Sequence, residues 1–381
     1  MKGLTTILLL TVFATFWEKS FGQEYNKLIF DGQVSAYANY NRDSKLNFST
    51  GGRYIPQLNY ALKLDSTVVL DFEASANIYG SFDFHAFDSS YTDGNIQPYR
   101  IWTRITGRQY EVRVGLQKID FGSSTLLRPL QWFNQIDPRD PLKLTYGVYG
   151  ALGRYYFLNN ANVWFWVLAG NEKTRGFDAV KTYRKHPEFG GRVQYPVSRG
   201  ELAVSYHHRT SNAAELLDSP LYEKVPEDRV GIDGKWDLGV GLWFETSFTH
   251  KYKQLDQLTN QSLFNLGTDY TFGIGSGLNV VVEHLTMSFD SQVLRFSNTT
   301  NITATNISYP LGLFDTISAV YYYNWTTTDY NVFINYSHSF RKVTGYLMAY
   351  YNSGSPQGIQ ENELVQSPTG PGIRLLLVYN H

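Results

Sequence analysis

Three of the eight histidines in this 381-residue chain sit close to groups that could share chemistry with them. His85 lies between Asp83 and Asp88, His207 follows Ser205, and His284 adjoins Glu283. Hydrolysis needs a nucleophile and a base side by side, such as Ser with His or Asp with His. Neighbours on an extended chain point to opposite faces, so Glu283 and His284 cannot form such a pair. His85 falls in a polar stretch that suits a solvated loop. There is no cysteine, which excludes a disulfide scaffold, a thiolate metal site and a Cys nucleophile. Neither a Gly-rich phosphate loop nor a His-x-x-x-His zinc pair is present. The net charge of −1 argues against a nucleic-acid partner. No enzymatic activity, cofactor or metal is expected.

The charged residues carry more information. Arg100 and Arg104 are four apart within one alternating segment, so both point the same way. The same parity groups Arg53, Lys63, Arg113, Arg154 and Arg192 with Asp71, Glu73, Glu111, Asp233, Glu245, Asp269 and Glu283 on one side of their segments. The opposite side is apolar. Phe30, Val34, Ala36 and Tyr40 oppose Asp31, Gln33, Ser35 and Asn39; Leu70, Phe72 and Ala74 oppose Asp71, Glu73 and Ser75; Ile373, Leu375, Leu377 and Tyr379 oppose Arg374 and Asn380. Period two of this kind marks strands with one apolar and one polar face.

Short turns, as at Asp65-Ser66-Thr67, Ser198-Arg199-Gly200 and Arg341-Lys342, alternate with longer polar connections around 81–98, 122–149, 171–187, 210–227, 250–261, 288–300 and 353–371. That rhythm is the layout of a transmembrane barrel. The expected fold is all-β: an antiparallel up-and-down barrel of about 18 strands, with 16 as the fallback if the weakest segment, near 302–311, is not a strand. A soluble sandwich or propeller also alternates, but aromatics at strand ends, such as Tyr40, Tyr110, Tyr195 and Tyr379, suit two membrane–water interfaces. Tyr54 and Tyr99 are expected in the same girdles. A lipid-facing Arg near the midplane costs roughly 2–4 kcal/mol, so the charged face must look into the barrel. Arg53, Lys63, Arg100, Arg104, Arg113, Arg154, Arg192, Glu245, Asp269 and Glu283 are therefore expected to line a lumen, basic along one arc and acidic along another. Pro56 and Pro196 remove ladder donors and should mark a bulge or a strand end.

Residues 122–149 differ from the other connections. Pro129, Pro138 and Pro141 stiffen them, and Leu126, Leu127, Leu130, Trp132, Phe133, Leu142 and Leu144 demand burial. This loop follows the fifth strand and is expected to fold inward as a constriction that presents Arg128, Trp132, Asp137, Arg139, Asp140 and Lys143. Residues 1–22 have a basic start, an apolar run and Ser20-Phe21-Gly22, the order of a cleavable secretory signal, which leaves a barrel domain of 23–381.

The stretches Gly115-Leu116-Gln117-Lys118-Ile119-Asp120-Phe121-Gly122, Arg128-Pro129-Leu130-Gln131-Trp132 and Asp137-Pro138-Arg139-Asp140-Pro141 resemble a family of poorly characterised outer-membrane barrels of the Bacteroidota, distantly similar to porin-type and alginate-export-type barrels. The terminal His381 departs from the aromatic usual in porins. The resemblance implies a Gram-negative outer-membrane location and the barrel fold, and hardly a substrate. The barrel with its constriction loop points to a channel for passive diffusion of small polar solutes, and the basic arc to a mild preference for anions or sugar acids. The competing expectation is a non-conducting scaffold barrel of an envelope assembly, secretion or attachment complex. The expected partners are the lipid bilayer and small polar solutes, with further copies of the chain or envelope proteins as candidates.

Overall fold

The computed structural model describes residues 26–86, 88–354 and 369–381. The signal segment expected at 1–22 lies outside the described residues. The strands are β1 (Leu28–Asn41), β2 (Phe48–Lys63), β3 (Val69–Phe84), β4 (Ser90–Thr106), β5 (Tyr110–Gln117), β6 (Val148–Tyr156) and β7 (Asn162–Leu168). After the two-residue β8 (Lys181–Thr182) come β9 (Glu188–Val197), β10 (Gly200–Asn212), β11 (Val225–Asp237), β12 (Gly241–Lys251) and β13 (Asn260–Phe272). The chain ends with β14 (Leu278–Asp290), β15 (Thr299–Pro310), β16 (Asp315–Asn324), β17 (Tyr330–Ser339), β18 (Val343–Asn352) and β19 (Gly370–Asn380).

Each strand pairs antiparallel with its neighbour in sequence, except that β7 passes over β8 to pair with β9. β19 returns to β1, from Gln33↔Asn380 to Asn41↔Gly372, and the ring closes. β8 makes ladder pairs only with Ser211 and Asn212 at one end of β10 and is not one of the strands of the ring. The wall is thus an 18-strand closed barrel, and the segment near 302–311 is the strand β15. Closure satisfies both edges of every full-length pairing, the condition for crossing a bilayer with strands.

Burial is inverted relative to a water-soluble fold. On β1, Phe30, Val34, Ala36 and Tyr40 are exposed, while Ser35, Asn39 and Asn41 are buried. On β4, Ile101 is exposed and its neighbour Arg100 buried. The apolar face looks outward and the polar face inward, as parity requires. An aromatic row, with Tyr40 tilted against Phe48 at 5.0 Å and Phe48 stacked on Phe84 at 5.3 Å, lies near one end of β1–β3. Tyr99 is not in such a girdle: it turns inward, and Arg100 stacks over its ring at 4.2 Å.

Three expectations need correction. The connection at 81–98 is not a long loop: β3 runs to Phe84 and β4 starts at Ser90. Its Ser, Asp and Gly content reads as loop, yet the strands simply extend past the bilayer. Sixteen residues span about 53 Å along the strand, more than a tilted crossing needs. The inner face is not uniformly polar either. Leu263, Leu285, Ile302, Val320, Tyr322, Phe333, Met348, Leu376 and Val378 are buried inside the ring along β13–β19. The long connection expected at 210–227 is shorter, because β10 extends to Asn212 and β11 begins at Val225.

The prolines sit where the ladder yields. Pro56 pairs with Gly32, but the β2–β3 register skips from Tyr54↔Ile78 to Gln57↔Ser75. Pro196 lies past the last β7–β9 pair, Asn162↔Gln194. Pro98, not singled out from sequence, sits beside a register shift at Ser75/Ala76.

Outward and inward positions should respond differently to charge. Leu375→Arg, at the middle of β19 on the outer face, should lower unfolding free energy in lipid vesicles by about 2–4 kcal/mol. Gln57→Arg, on the inner face beside Asp31, should change it by about 0.5 kcal/mol or less. Urea titration of the refolded barrel measures both.

Candidate functional site

The loop that leaves β5 at Gln117 and rejoins the wall at Val148 is fastened by three carboxylates on the inner face. Glu283 of β14 accepts from the backbone N–H groups of Thr125 at 2.6 Å, Leu126 at 3.1 Å and Leu127 at 2.6 Å. It also accepts from Trp243 Nε1 at 3.0 Å and Asn265 Nδ2 at 3.2 Å. Glu245 of β12 accepts from Ser124 N at 2.9 Å and Leu130 N at 2.6 Å. Asp233 of β11 takes Ser123 Oγ at 3.1 Å while holding Arg192 at 2.6 and 2.9 Å. Loop backbone inside a barrel has no ladder, so its donors need acceptors of this kind.

Two glycines make the approach possible. A Cβ on Gly122, whose φ is +105°, would fall 2.4 Å from Glu245 Oε2. A Cβ on Gly231 of β11 would fall 2.3 Å from Leu130 Cδ2, so the wall is hollowed where Leu130 and Trp132 seat. Trp132 then donates from Nε1 to Ser247 Oγ at 2.9 Å.

The apolar residues of the loop divide between two sides of the lumen. Leu126 and Leu127 join the cluster on β13–β19, whereas Ile119, Phe121, Leu130, Trp132 and Phe133 pack with Leu152, Trp166 and Leu168 of β6 and β7. On its return the loop sets Leu144 against Ile55 of β2, and Arg100 donates to Thr145 O at 2.8 Å. Charges within the loop serve its own shape. Arg139 bridges Asp137 at 2.8 Å, and Asp140 accepts from Leu142 N and Leu144 N, both at 2.9 Å, in the turn that Pro138 and Pro141 stiffen. Arg128 holds Asp120 at 2.5 Å.

Burial therefore corrects part of the sequence reading. Arg128, Trp132, Asp137, Arg139 and Asp140 are buried in the loop or between loop and wall rather than presented to water, and Lys143 alone of that group is exposed. Of the expected lining, Arg53, Arg100, Arg192, Glu245 and Glu283 are buried, Lys63 is exposed, and Arg104, Arg113, Arg154 and Asp269 are half-buried. The basic and acidic arcs are not opposed surfaces. Arg104 bridges Asp71 at 2.9 Å, Arg113 bridges Glu111 at 3.0 Å, and Arg154 lies 3.6 Å from Glu111. Glu245 and Glu283 are the loop's acceptors. Trp102 and Trp164 back the arginines, with Arg113 4.7 Å and Arg154 3.8 Å from the ring centroids.

A second inward connection, 169–187, was not legible as such. Its Asp178 bridges Arg209 at 2.8 Å and Arg229 at 2.6 Å, and its Arg175 bridges Glu188 at 2.7 Å. Gln261 of β13 donates to Phe177 O at 2.8 Å, across the ring. The available signal was Phe177, Val180 and Tyr183, bulky apolar or aromatic residues in a mostly polar connection.

None of the candidate dyads forms. His207 accepts from Trp166 Nε1 at its Nδ1 and lies 3.2 Å from Glu188, while Ser205 accepts from Arg192. His284 faces outward beside Thr303, and His85 is exposed just past the end of β3.

The closed ring with a loop after its fifth strand defines a β-barrel of the outer-membrane porin type. Similar solved structures are OccD3 (OpdP) and OccK5 (OpdH) of Pseudomonas aeruginosa. OccD3 aligns with TM-score 0.61 and 8% identity over 93% of this chain and 91% of its own. OccK5 aligns with TM-score 0.55 and 11% identity over 93% and 98%. OmpT of Vibrio cholerae, described as a trimer form, aligns with TM-score 0.50 and 10% identity over 94% and 100%. No family model matches the sequence, and no curated protein does.

The anchors can be tested directly. Glu283→Gln leaves an NH2 where the loop needs an acceptor, and each charge-assisted bond lost is worth about 1.5–3 kcal/mol. Amide exchange at Thr125, Leu126 and Leu127 should accelerate at least about tenfold, with the wall strands unchanged.

The loop's own acid gives a pH signature. Burial works against ionisation of Asp120, but Arg128 and Lys118 beside it hold its carboxyl below the usual range. A depressed folded pKa means its contribution is complete above the unfolded value, about 3.9, and fades as pH falls through the folded one. Tryptophan fluorescence should therefore show an acid transition below about pH 4 that Asp120→Asn removes.

Proposed function

We propose that this protein is a porin-like channel of a Gram-negative outer membrane, exported by residues 1–22 and admitting small polar solutes by passive diffusion. The observation that carries the reading is an uneven lumen. Along β13–β19 the inner wall is dry against the loop, whereas along β3–β6 Asp71, Arg104, Arg113 and Arg154 keep part of their surface in water. The solute path runs along the second arc, between that wall and the loop. Eighteen strands enclose more space than side chains alone fill, so water remains inside.

The path favours anions. Across the middle of β2–β6, the five arginines Arg53, Arg100, Arg104, Arg113 and Arg154 face three carboxylates, Asp71, Glu73 and Glu111, which leaves two positive charges. Small anions and sugar acids fit that balance, and Trp102 and Trp164 stack against the Arg113 and Arg154 guanidinium groups. No step of covalent chemistry is assigned to this wall.

One observation favours a second reading, a non-conducting scaffold: the loop reaches β2, β4, β12 and β14 together with the dry arc. Planar-bilayer recording separates the two. The channel reading expects steady openings. Arg104→Ala should lower the anion-to-cation permeability ratio about fourfold, since one charge roughly 10 Å from the ion in water shifts anion and cation about twofold each, in opposite directions. Deleting 126–144 should raise conductance. A silent wild-type barrel that copurifies with envelope proteins would support the scaffold instead.

A further inference from the structure

The upper half of β4 has an open edge. Its ladder with β5 ends at Ile101↔Leu116, while its ladder with β3 continues to Phe84↔Ser90. Among the described residues β4 pairs with no other strand, and Ser90 to Ile96 are exposed. Ile96 shows which backbone groups are free. Its N–H goes to Asn95 Oδ1 at 2.7 Å and not to β3. Alternate residues of an antiparallel strand turn their backbone groups to the same side, so Thr92 and Gly94 present N–H and C=O to the open side as well. Pro98 has the same parity, and the donor it lacks belongs to the side without a partner.

This edge stands in water. One row of paired residues crosses from β1 to β6 through Phe30, Leu58, Ala74, Ile101, Leu116 and Tyr149. It starts at the third residue of β1 and arrives at the second residue of β6, at the opposite rim. Strand tilt lifts the row from one face of the membrane to the other, and at β4 it is about three-fifths of the way up. An apolar band about 25 Å tall leaves roughly 10 Å above Ile101, which about four tilted residues cover. Ser90 to Ile96 therefore rise clear of the bilayer. Beside them the rim is low, because the chain turns into the ring after Gln117, so a further strand has room. The edge is also acidic. No Lys or Arg occurs between Lys63 and Arg100, while Asp83, Asp88 and Asp93 lie toward the tip of the β3–β4 hairpin. Asp83, Asp93 and Tyr91 share one face, and Thr92, Gly94 and Ile96 share the other.

We propose that this edge docks an extended basic segment of a partner polypeptide, added to β4 as an antiparallel strand. Cations at every second residue face Asp83 and Asp93 and lie over Tyr91, while β-branched residues between them cover Ile96. The docking is independent of solute passage, since a silent barrel has the same edge. The probe is a labelled heptapeptide, Lys-Val-Lys-Thr-Lys-Val-Lys, titrated by fluorescence anisotropy onto the refolded barrel in zwitterionic detergent. Saturable binding is expected. The same peptide N-methylated at Val, Thr and Val keeps its charge but loses the donors of one edge, and should bind at least about tenfold more weakly. Thr92→Pro removes a donor that no ladder uses, so the barrel should fold while peptide binding falls about tenfold. Asp83→Asn with Asp93→Asn should weaken binding about fivefold and flatten its salt dependence. Unboiled-gel mobility confirms that each variant is a folded barrel. No binding to wild type, equal binding of the methylated peptide, or unchanged binding to folded Thr92→Pro would overturn the assignment. Since the chain lacks cysteine, Thr92→Cys gives a further check. Barrels that oxidise to one another in preference to a cysteine-ended peptide would give the edge to a second copy and overturn it too.

Discussion

Glu283 accepting from three consecutive backbone N–H groups, Thr125 to Leu127, is the interaction on which the interior depends. A closed strand wall supplies few free backbone acceptors, because most of its carbonyls already belong to a ladder. A loop that crosses the ring must therefore find side-chain acceptors, and a carboxylate offers several lone pairs at once. Glu245 repeats the device one strand pair away, and Asp233 extends it to β11. Once the loop is held there, Leu126 and Leu127 are delivered to the β13–β19 arc, and the inner leucines and valines of that arc acquire something apolar to touch. The division of the lumen into a dry side and a wet side follows from where three acids stand.

That arrangement also explains why the charge pattern does not act as a field across the bore. Acids that would have faced the arginines are spent on backbone donors, and other acids pair locally with the arginines themselves, as Asp71 does with Arg104 and Glu111 with Arg113. What survives is a modest local excess of positive charge along β2–β6. Half-buried pairs of this kind keep their guanidinium groups ordered at little net energetic gain, and order is what a recognition surface needs.

The wall was legible in the sequence because its rule is local. Arg100 and Arg104 share parity, a bilayer forbids them outside, and the same reasoning places Arg53 through Glu283 on one face. The contents of the ring were only partly legible. The apolar residues at 126–144 announced burial, but nothing nearby told which wall would receive them, since Glu245 and Glu283 are far away in sequence. On β19, Leu375, Leu376, Leu377 and Val378 run together, and alternation vanishes because one face meets lipid and the other meets the loop. The stretch 81–98 read as loop because strands that rise beyond the bilayer need no apolar face there. Asp178 looked like one more polar loop residue, since Arg209 and Arg229, the partners that give it meaning, come from other strands.

The uneven height of the wall is the last consequence. β2, β3 and β4 have 16 or 17 residues, while β5, β6 and β7 have 8, 9 and 7. The short strands are the ones from which the two inward connections depart, at Gln117 and Leu168. Chain that would have built the rim there turns into the ring, so β4 beyond Arg100 has β3 on one side and no β5 partner on the other. A low rim at β5–β7 and a filled interior are thus the same residues put to one use rather than another. Pro98 sits on that half of β4, where a missing ladder donor costs least.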